Sequence, residues 1–292
     1  MINKDNIRGK TAMKLKIAAV MLSLLPFLLY AQYNTIHLQP NTRYSKTSDV
    51  AATTQMNLYG QNYVYAVTAN IKTDYDIIEK TANGYQVQIT LDAINSELSS
   101  NGVKMSFNSQ KDTLANMEDT VFAKPLSDIL GETDNVVVDS AGSILQSDTS
   151  QTHRKAAEYV TSTLLFGNDY SIGKKLDIIF HFKDSVKVGT TWIDSVSTKD
   201  GFKIDTFSVE KIVNKIITVV VKGKVSRTLP VQQGTTTAMA HFSGNTNTVL
   251  QIAESTGIIY SRKMQTNIQS HINVNGADIP ISSQIQLNEV VQ

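Results

Sequence analysis

The 292-residue chain contains no cysteine. Disulfides, thiolate metal sites and a lipid-bearing cysteine at a signal cleavage point are therefore excluded. With 21 asparagines and 56 serines plus threonines the chain still has no Asn-x-Ser/Thr acceptor, which speaks against a eukaryotic secretory origin. Long apolar runs are lacking too. The one that stands out, 17–29, is broken by Ser23 and Pro26 and falls short of the ~20 apolar residues that a bilayer-spanning helix needs.

That run has the form of a secretory signal. Lys4, Arg8, Lys10, Lys14 and Lys16 precede it, and Ala31 follows it at a plausible cleavage point. Residues 1–31 are expected to be a signal peptide, and no segment after the cut is expected to span a membrane as a helix. Five Lys/Arg and one Asp leave with it, so 22 basic face 25 acidic side chains, a formal charge of −3. A nucleic-acid binder or a protein held on anionic lipid would show clustered excess Lys/Arg, and no such cluster is present. The expected location is periplasmic or secreted.

The rest reads mainly as strands, because apolar and polar residues alternate between turn signals. Tyr85, Val87, Ile89 and Leu91 share one face of a strand entered through Asn83-Gly84. Met264, Thr266, Ile268, Ser270, Ile272 and Val274 share one face of another, followed by Asn275-Gly276 and a return strand whose Pro280 suggests a sheet edge. Two helical segments interrupt this pattern. Residues 152–166 carry Ala156, Val160 and Leu164 at helical spacing before Gly167, and residues 114–130 form a second stretch in which Pro125 should end or kink the helix before Gly131.

Four motifs recur in one order. NTRY (41–44), YDIIEK (75–80), QVQITL (86–91) and VVVDSAGSIL (136–145) are matched by GTTW (189–192), FSVEK (207–211), IITVVV (216–221) and LQIAESTGII (250–259). The chain thus divides into a first β-rich half (32–149), a helical connector with a linking strand (150–185) and a second β-rich half (186–292). The stretches LGETDNVVVDSAGSIL, VGTTW and ESTGII give the chain a resemblance to an uncharacterised family of exported Gram-negative bacterial proteins. The resemblance implies location and fold; its motifs are structural, so no catalytic residue carries over.

Chemistry is hard to find. Asp139-Ser140-Ala141-Gly142 and Glu254-Ser255-Thr256-Gly257 lack the Gly-x-Ser-x-Gly form of a nucleophile elbow and suit hairpin turns. Residues 167–175 miss the phosphate-loop spacing by one residue and place Lys175 where a hydroxyl is needed. The five histidines are scattered, so no metal or cofactor site is predicted. Acidic clusters (Asp74, Asp76, Glu79; Glu118, Asp119, Asp128) read as solvated faces, and Tyr59, Tyr63 and Tyr65 share a parity that suits packing.

The expected fold is mainly β with two short helical segments: a curved antiparallel sheet, half-barrel-like, built from two similar halves and covered on its concave side by the helices. A β-sandwich is the alternative. Such a sheet is similar in architecture to envelope carriers of lipids and lipoproteins, a comparison that does not fix function. The expected role is binding or carrying an apolar ligand such as a lipid, with Val87, Ile89, Ala156, Val160, Leu164 and Val219 lining the space between sheet and helices. The alternative is a structural or interaction module whose partner is another envelope protein. Catalysis is not expected.

Overall fold

In a computed structural model the described residues are 36–58, 60–111, 120–148, 170–182, 184–233, 236–274 and 277–292. The signal segment and the helix expected at 152–166, with Ala156, Val160 and Leu164, lie outside them. In chain order the elements are β1 (Thr42–Leu58), β2 (Gln61–Thr81), β3 (Gly84–Ser100), β4 (Val103–Asn108), α1 (Thr120–Asp128), β5 (Thr133–Val138) and β6 (Ile144–Ser147), followed by β7 (Thr191–Thr198), β8 (Gly201–Val213), β9 (Ile216–Gln233), β10 (Thr236–Ala253), β11 (Ile259–Val274) and β12 (Ala277–Val291).

All twelve strands join one antiparallel sheet, in the order β6-β5-β3-β2-β1-β12-β11-β10-β9-β8-β7, with β4 paired to the far part of β3. The sheet is curved and open rather than a closed barrel, and the sandwich alternative does not occur. Its strands alternate as the sequence predicts. Asn245, Asn247, Gln265, Asn267, Gln284 and Gln286 face outward and are exposed, while their apolar neighbours in the chain turn inward.

The two halves follow one strand order. β1, β2, β3, β5 and β6 adjoin one another in that succession, as do β7, β8, β9, β10 and β11, and β12 stitches β11 to β1. The ladders agree in detail: Ile77 pairs with Val87 just before an irregularity in β2–β3, and Val209 pairs with Val219 just before one in β8–β9. Gly142 and Gly257 close equivalent turns at φ 75° and 73°, a region in which a side chain costs about 1–2 kcal/mol.

Three expectations need correction. Pro280 does not mark an edge strand, since β12 lies between β1 and β11; the β1 ladder stops at Ile281, so the N–H that Pro280 lacks is not missed there. Pro125 does not break its helix, which runs through it from Thr120 to Asp128 before Gly131 turns the chain at φ 76°. A proline removes the one intrahelical bond its own N–H would donate, and the helix carries on past that loss. The linking strand is instead an irregular strap, 170–182, held by single bridges from Lys175 to Ser143 and from Ile179 to Ile258.

The strap lies across the inner face where the halves meet. Leu176 and Ile178 are buried there among Tyr75, Ile77, Val87 and Ile144. α1 packs on the inner face of β1–β3, with Ala123 and Leu126 against Val50, Val67, Ile71 and Ile94. Each fully buried aliphatic side chain contributes about 1.5–3 kcal/mol, so these two contacts close that part of the concave face. The inner face of β7–β12 is left to line a space.

Candidate functional site

That space is a cavity of about 1000 Å³, lined by the strap and by inward side chains from every strand between β7 and β12. Strands that adjoin only their immediate neighbours can share one cavity because the sheet curls. Period-two alternation builds the wall in layers across the strands. One layer carries Trp192, Phe207, Val221, Thr248, Met264 and Leu287; the next carries Asp194, Asp205, Gly223, Thr246 and Thr266. At Gly223 a Cβ would come within 2.7 Å of the Asp205 carboxylate, so glycine lets that side chain fold over the strand.

The strap and β7–β8 meet in an aromatic panel. Trp192 stacks on Phe207 with ring centroids 5.0 Å apart and planes 3° from parallel. Phe180 and Phe182 from the strap approach Trp192 at 6.3 and 6.2 Å with their rings tilted to it. Offset and edge contacts of this kind are the favoured aromatic geometries. All four rings are only half-buried, and all four line the cavity.

Where the strap crosses β1, β11 and β12, the wall ends in a charged network. The Lys46 ammonium, 3% exposed, ion-pairs with Asp177 and lies 3.6 Å from Glu289. Arg262 donates through Nη1 to Glu289 at 2.6 Å and through Nη2 to the Asp177 carbonyl at 2.7 Å. Ser48 donates to Glu289 at 3.1 Å, and the Tyr75 hydroxyl donates to the Asp177 carboxylate at 2.9 Å. Burial by itself would raise the Asp177 carboxyl, but the charge and hydrogen bond of Lys46, with Arg262 and Tyr75, hold it below the usual carboxylate range. Burial, then the neighbouring Asp177 charge, pushes the Tyr75 hydroxyl well above its ordinary range. Two cations and two carboxylates satisfy one another, which is the condition under which buried charge is tolerated.

The sequence-predicted residues divide between two cores. Val87 and Ile89 are buried in the core beneath the strap, and Val219 is buried in the second half's core, beside the cavity. Val221, two residues further along the same face of β9, lines the cavity itself. Met264, Thr266 and Ile268, predicted to share a face, do so and line the wall. The two Ser-containing turns are hairpins: Asp139 Oδ1 accepts from the N–H groups of Ala141 and Ser143 at 2.8 and 2.7 Å. His181 lies on the strap and lines the cavity. Among the described residues no group of three His, Cys, Asp or Glu is placed to hold a metal ion, and no helix is long and apolar enough to cross a membrane.

Sequence reasoning missed the aromatic panel and the ion network. Trp192 stood in a quoted motif, but its stacking on Phe207 depends on the β7–β8 register. Lys46, Asp177 and Glu289 are far apart in the chain, and nothing in their local patterns marks them as partners.

No family model matches the chain, and no curated protein does. Among solved structures, one titled "Lipid-protein interactions in lipovitellin" is similar at 16% identity and a TM-score of 0.49, over 88% of this chain and 26% of that one, so the chain spans about a quarter of its length. An outer membrane channel from Pseudomonas putida F1 is similar at 7% identity and a TM-score of 0.24, over 88% of this chain and 98% of the channel. The Acinetobacter baumannii OccAB4 structure is similar at 7% identity and a TM-score of 0.22, over 87% of this chain and 99% of that one.

Proposed function

We propose that the chain is an exported protein of a bacterial envelope that binds or carries an apolar ligand, a lipid, in the cavity of its second half, without catalysing a reaction. The observation that carries this is the distribution of polarity across one sheet. The inner face presents Trp192, Phe207, Val221, Met264 and Leu287 to a space of about 1000 Å³, while the outer face of the same strands is set with asparagine, glutamine and lysine. A strand wall that faced lipid outward would have the reverse pattern, with an apolar exterior and a polar lumen. A cavity of this volume is at the upper end of ordinary ligand sites, and apolar lining with a few placed polar groups is their usual composition. We also propose that the matching halves arose by duplication and that only the second kept an open space.

Native mass spectrometry of protein purified from cells that export it, followed by solvent extraction, tests the proposal. A bound species released as lipid supports it. Protein that carries no lipid and takes none up from detergent-free lipid would overturn it.

A second reading, a structural or interaction module, is favoured by one observation. Among the described residues β7 has a neighbour on one side only, and Ile193 and Val196 on it are 66% and 62% exposed. Cross-linking in cells through a photoreactive residue at Ile193 would capture a protein neighbour if that edge is used.

A further inference from the structure

Resting on the reading of the cavity as a lipid site, we infer that its ligand is an amphiphile without net charge, neutral or zwitterionic, and that an anionic one is excluded by the way the wall's charges are already committed. The wall carries more acid than base: Lys175, Lys203 and Arg262 face Asp177, Asp184, Asp194, Asp205 and Glu289, while Lys224, paired in register with the outward Asn245, belongs to the outer face. Its cations are engaged by the protein itself. Arg262 is bonded to the Glu289 carboxylate and the Asp177 carbonyl, Lys203 pairs with Asp205 at 2.7 Å, and Lys175 donates to the Ala141 carbonyl and the Ser143 hydroxyl. Lys46, behind the wall, is shared between Asp177 and Glu289.

An incoming carboxylate or phosphodiester without a compensating cation would have to displace Glu289 from Arg262 or Asp205 from Lys203, leaving one anion unpaired beside a wall that already carries more carboxylates than cations. Burying an uncompensated charge is strongly unfavourable. A zwitterionic head brings both signs and can lie beside the paired side chains without breaking them. A neutral head can be met by the hydroxyls of Thr246, Thr248 and Thr266, which line the same wall. The apolar body is received by the aromatic panel, and this gives a direct reporter, because Trp192 is the chain's single tryptophan.

The test is a titration of delipidated full-length protein, followed by Trp192 emission, with four probes delivered from cyclodextrin at high salt: dioleoyl phosphatidylcholine, dioleoylglycerol, dioleoyl phosphatidylglycerol and oleate. High salt removes steering by the protein's own charge. The first two are expected to shift the emission, with dissociation constants about tenfold below that of the phosphatidylglycerol bearing the same chains, tenfold being 1.4 kcal/mol. Equal or tighter binding of phosphatidylglycerol or oleate overturns this inference and leaves the lipid site standing. An emission unmoved by all four probes, with no lipid in the purified protein, removes the lipid site itself.

Discussion

Lys46 on β1 and Asp177 on the strap form a buried ion pair at the seam between the two halves, 131 residues apart in the chain. The strap is held by its bridges to Ser143 and Ile258, and this contact and its neighbours tie it to β1 as well. Lys46→Ala leaves the Asp177 carboxylate without its ammonium partner and removes one of the two cations beside Glu289. Loss of one partner of a buried pair costs about 3–5 kcal/mol. Urea unfolding should show that drop, whereas Lys72→Ala, which removes an exposed pair with Asp92, should change stability by no more than about 1 kcal/mol.

The same network sets an acid limb. Asp177 is held below its ordinary value of 3.8, so its stabilising contribution is fully present above that pH and is lost as pH falls through the lower folded value. Tyr75 has the opposite sign. Its hydroxyl is held well above 10.0, so its contribution is present below pH 10 and fades as pH rises toward the folded value. Melting temperature measured across pH should fall at both extremes. Asp177→Asn should lower stability at neutral pH and flatten the profile below pH 4; an unchanged acid limb would mean that another carboxylate governs it.

The equivalence of the two halves can be probed at Gly142 and Gly257. Both are left-handed, and alanine at either should cost about 1–2 kcal/mol for the backbone alone. They differ in what surrounds them. A Cβ at 142 would meet the Ile179 Cγ2 and Ile36 Cδ1 methyls of two buried side chains at 2.7 and 2.9 Å, which can give only by repacking the core, while at 257 it would meet the Phe180 carbonyl oxygen at 2.6 Å, which cannot give without moving the strap's backbone. Gly257→Ala should therefore be the more destabilising, and chemical denaturation of the two variants side by side decides it.

Much of this fold is legible in the residues because alternation and turn chemistry are local. The faces of β3 and β11, the order of the motifs and the two glycine turns follow from patterns a few residues long. The motif order puts Val87 and Val219 on equivalent strands, and the ladders pair them with Ile77 and Val209 at matching places. What local pattern does not contain is which inward side chains meet another layer and which meet a space. Val87 lies under the strap and Val221 faces the cavity because the strap crosses the sheet at one place, held by bridges to Ser143 and Ile258 and by the pairing of Asp177 with Lys46 across 131 residues. Parity assigns both valines to the inner face and can say no more.

That distinction gives the last prediction. Leu126 on α1 is fully buried in a filled core, and truncation there leaves a hole that its neighbours close only partly. Leu126→Ala should cost about 2–5 kcal/mol and leave lipid binding untouched in the protein that remains folded. Met264 is only partly buried, and part of its surface already faces the cavity. Its truncation removes fewer packed contacts and creates no new enclosed hole, so the loss should fall below the Leu126 range, while contact with an apolar ligand is lost directly. Thermal melts of the two variants with and without dioleoyl phosphatidylcholine separate the cases. Leu126→Ala should melt lower but keep the lipid-dependent shift of the parent, and Met264→Ala should melt near the parent with a smaller shift. If Met264→Ala instead proves as destabilising as Leu126→Ala and the parent shows no shift, the space behind Met264 is ordinary core and the lipid site does not exist.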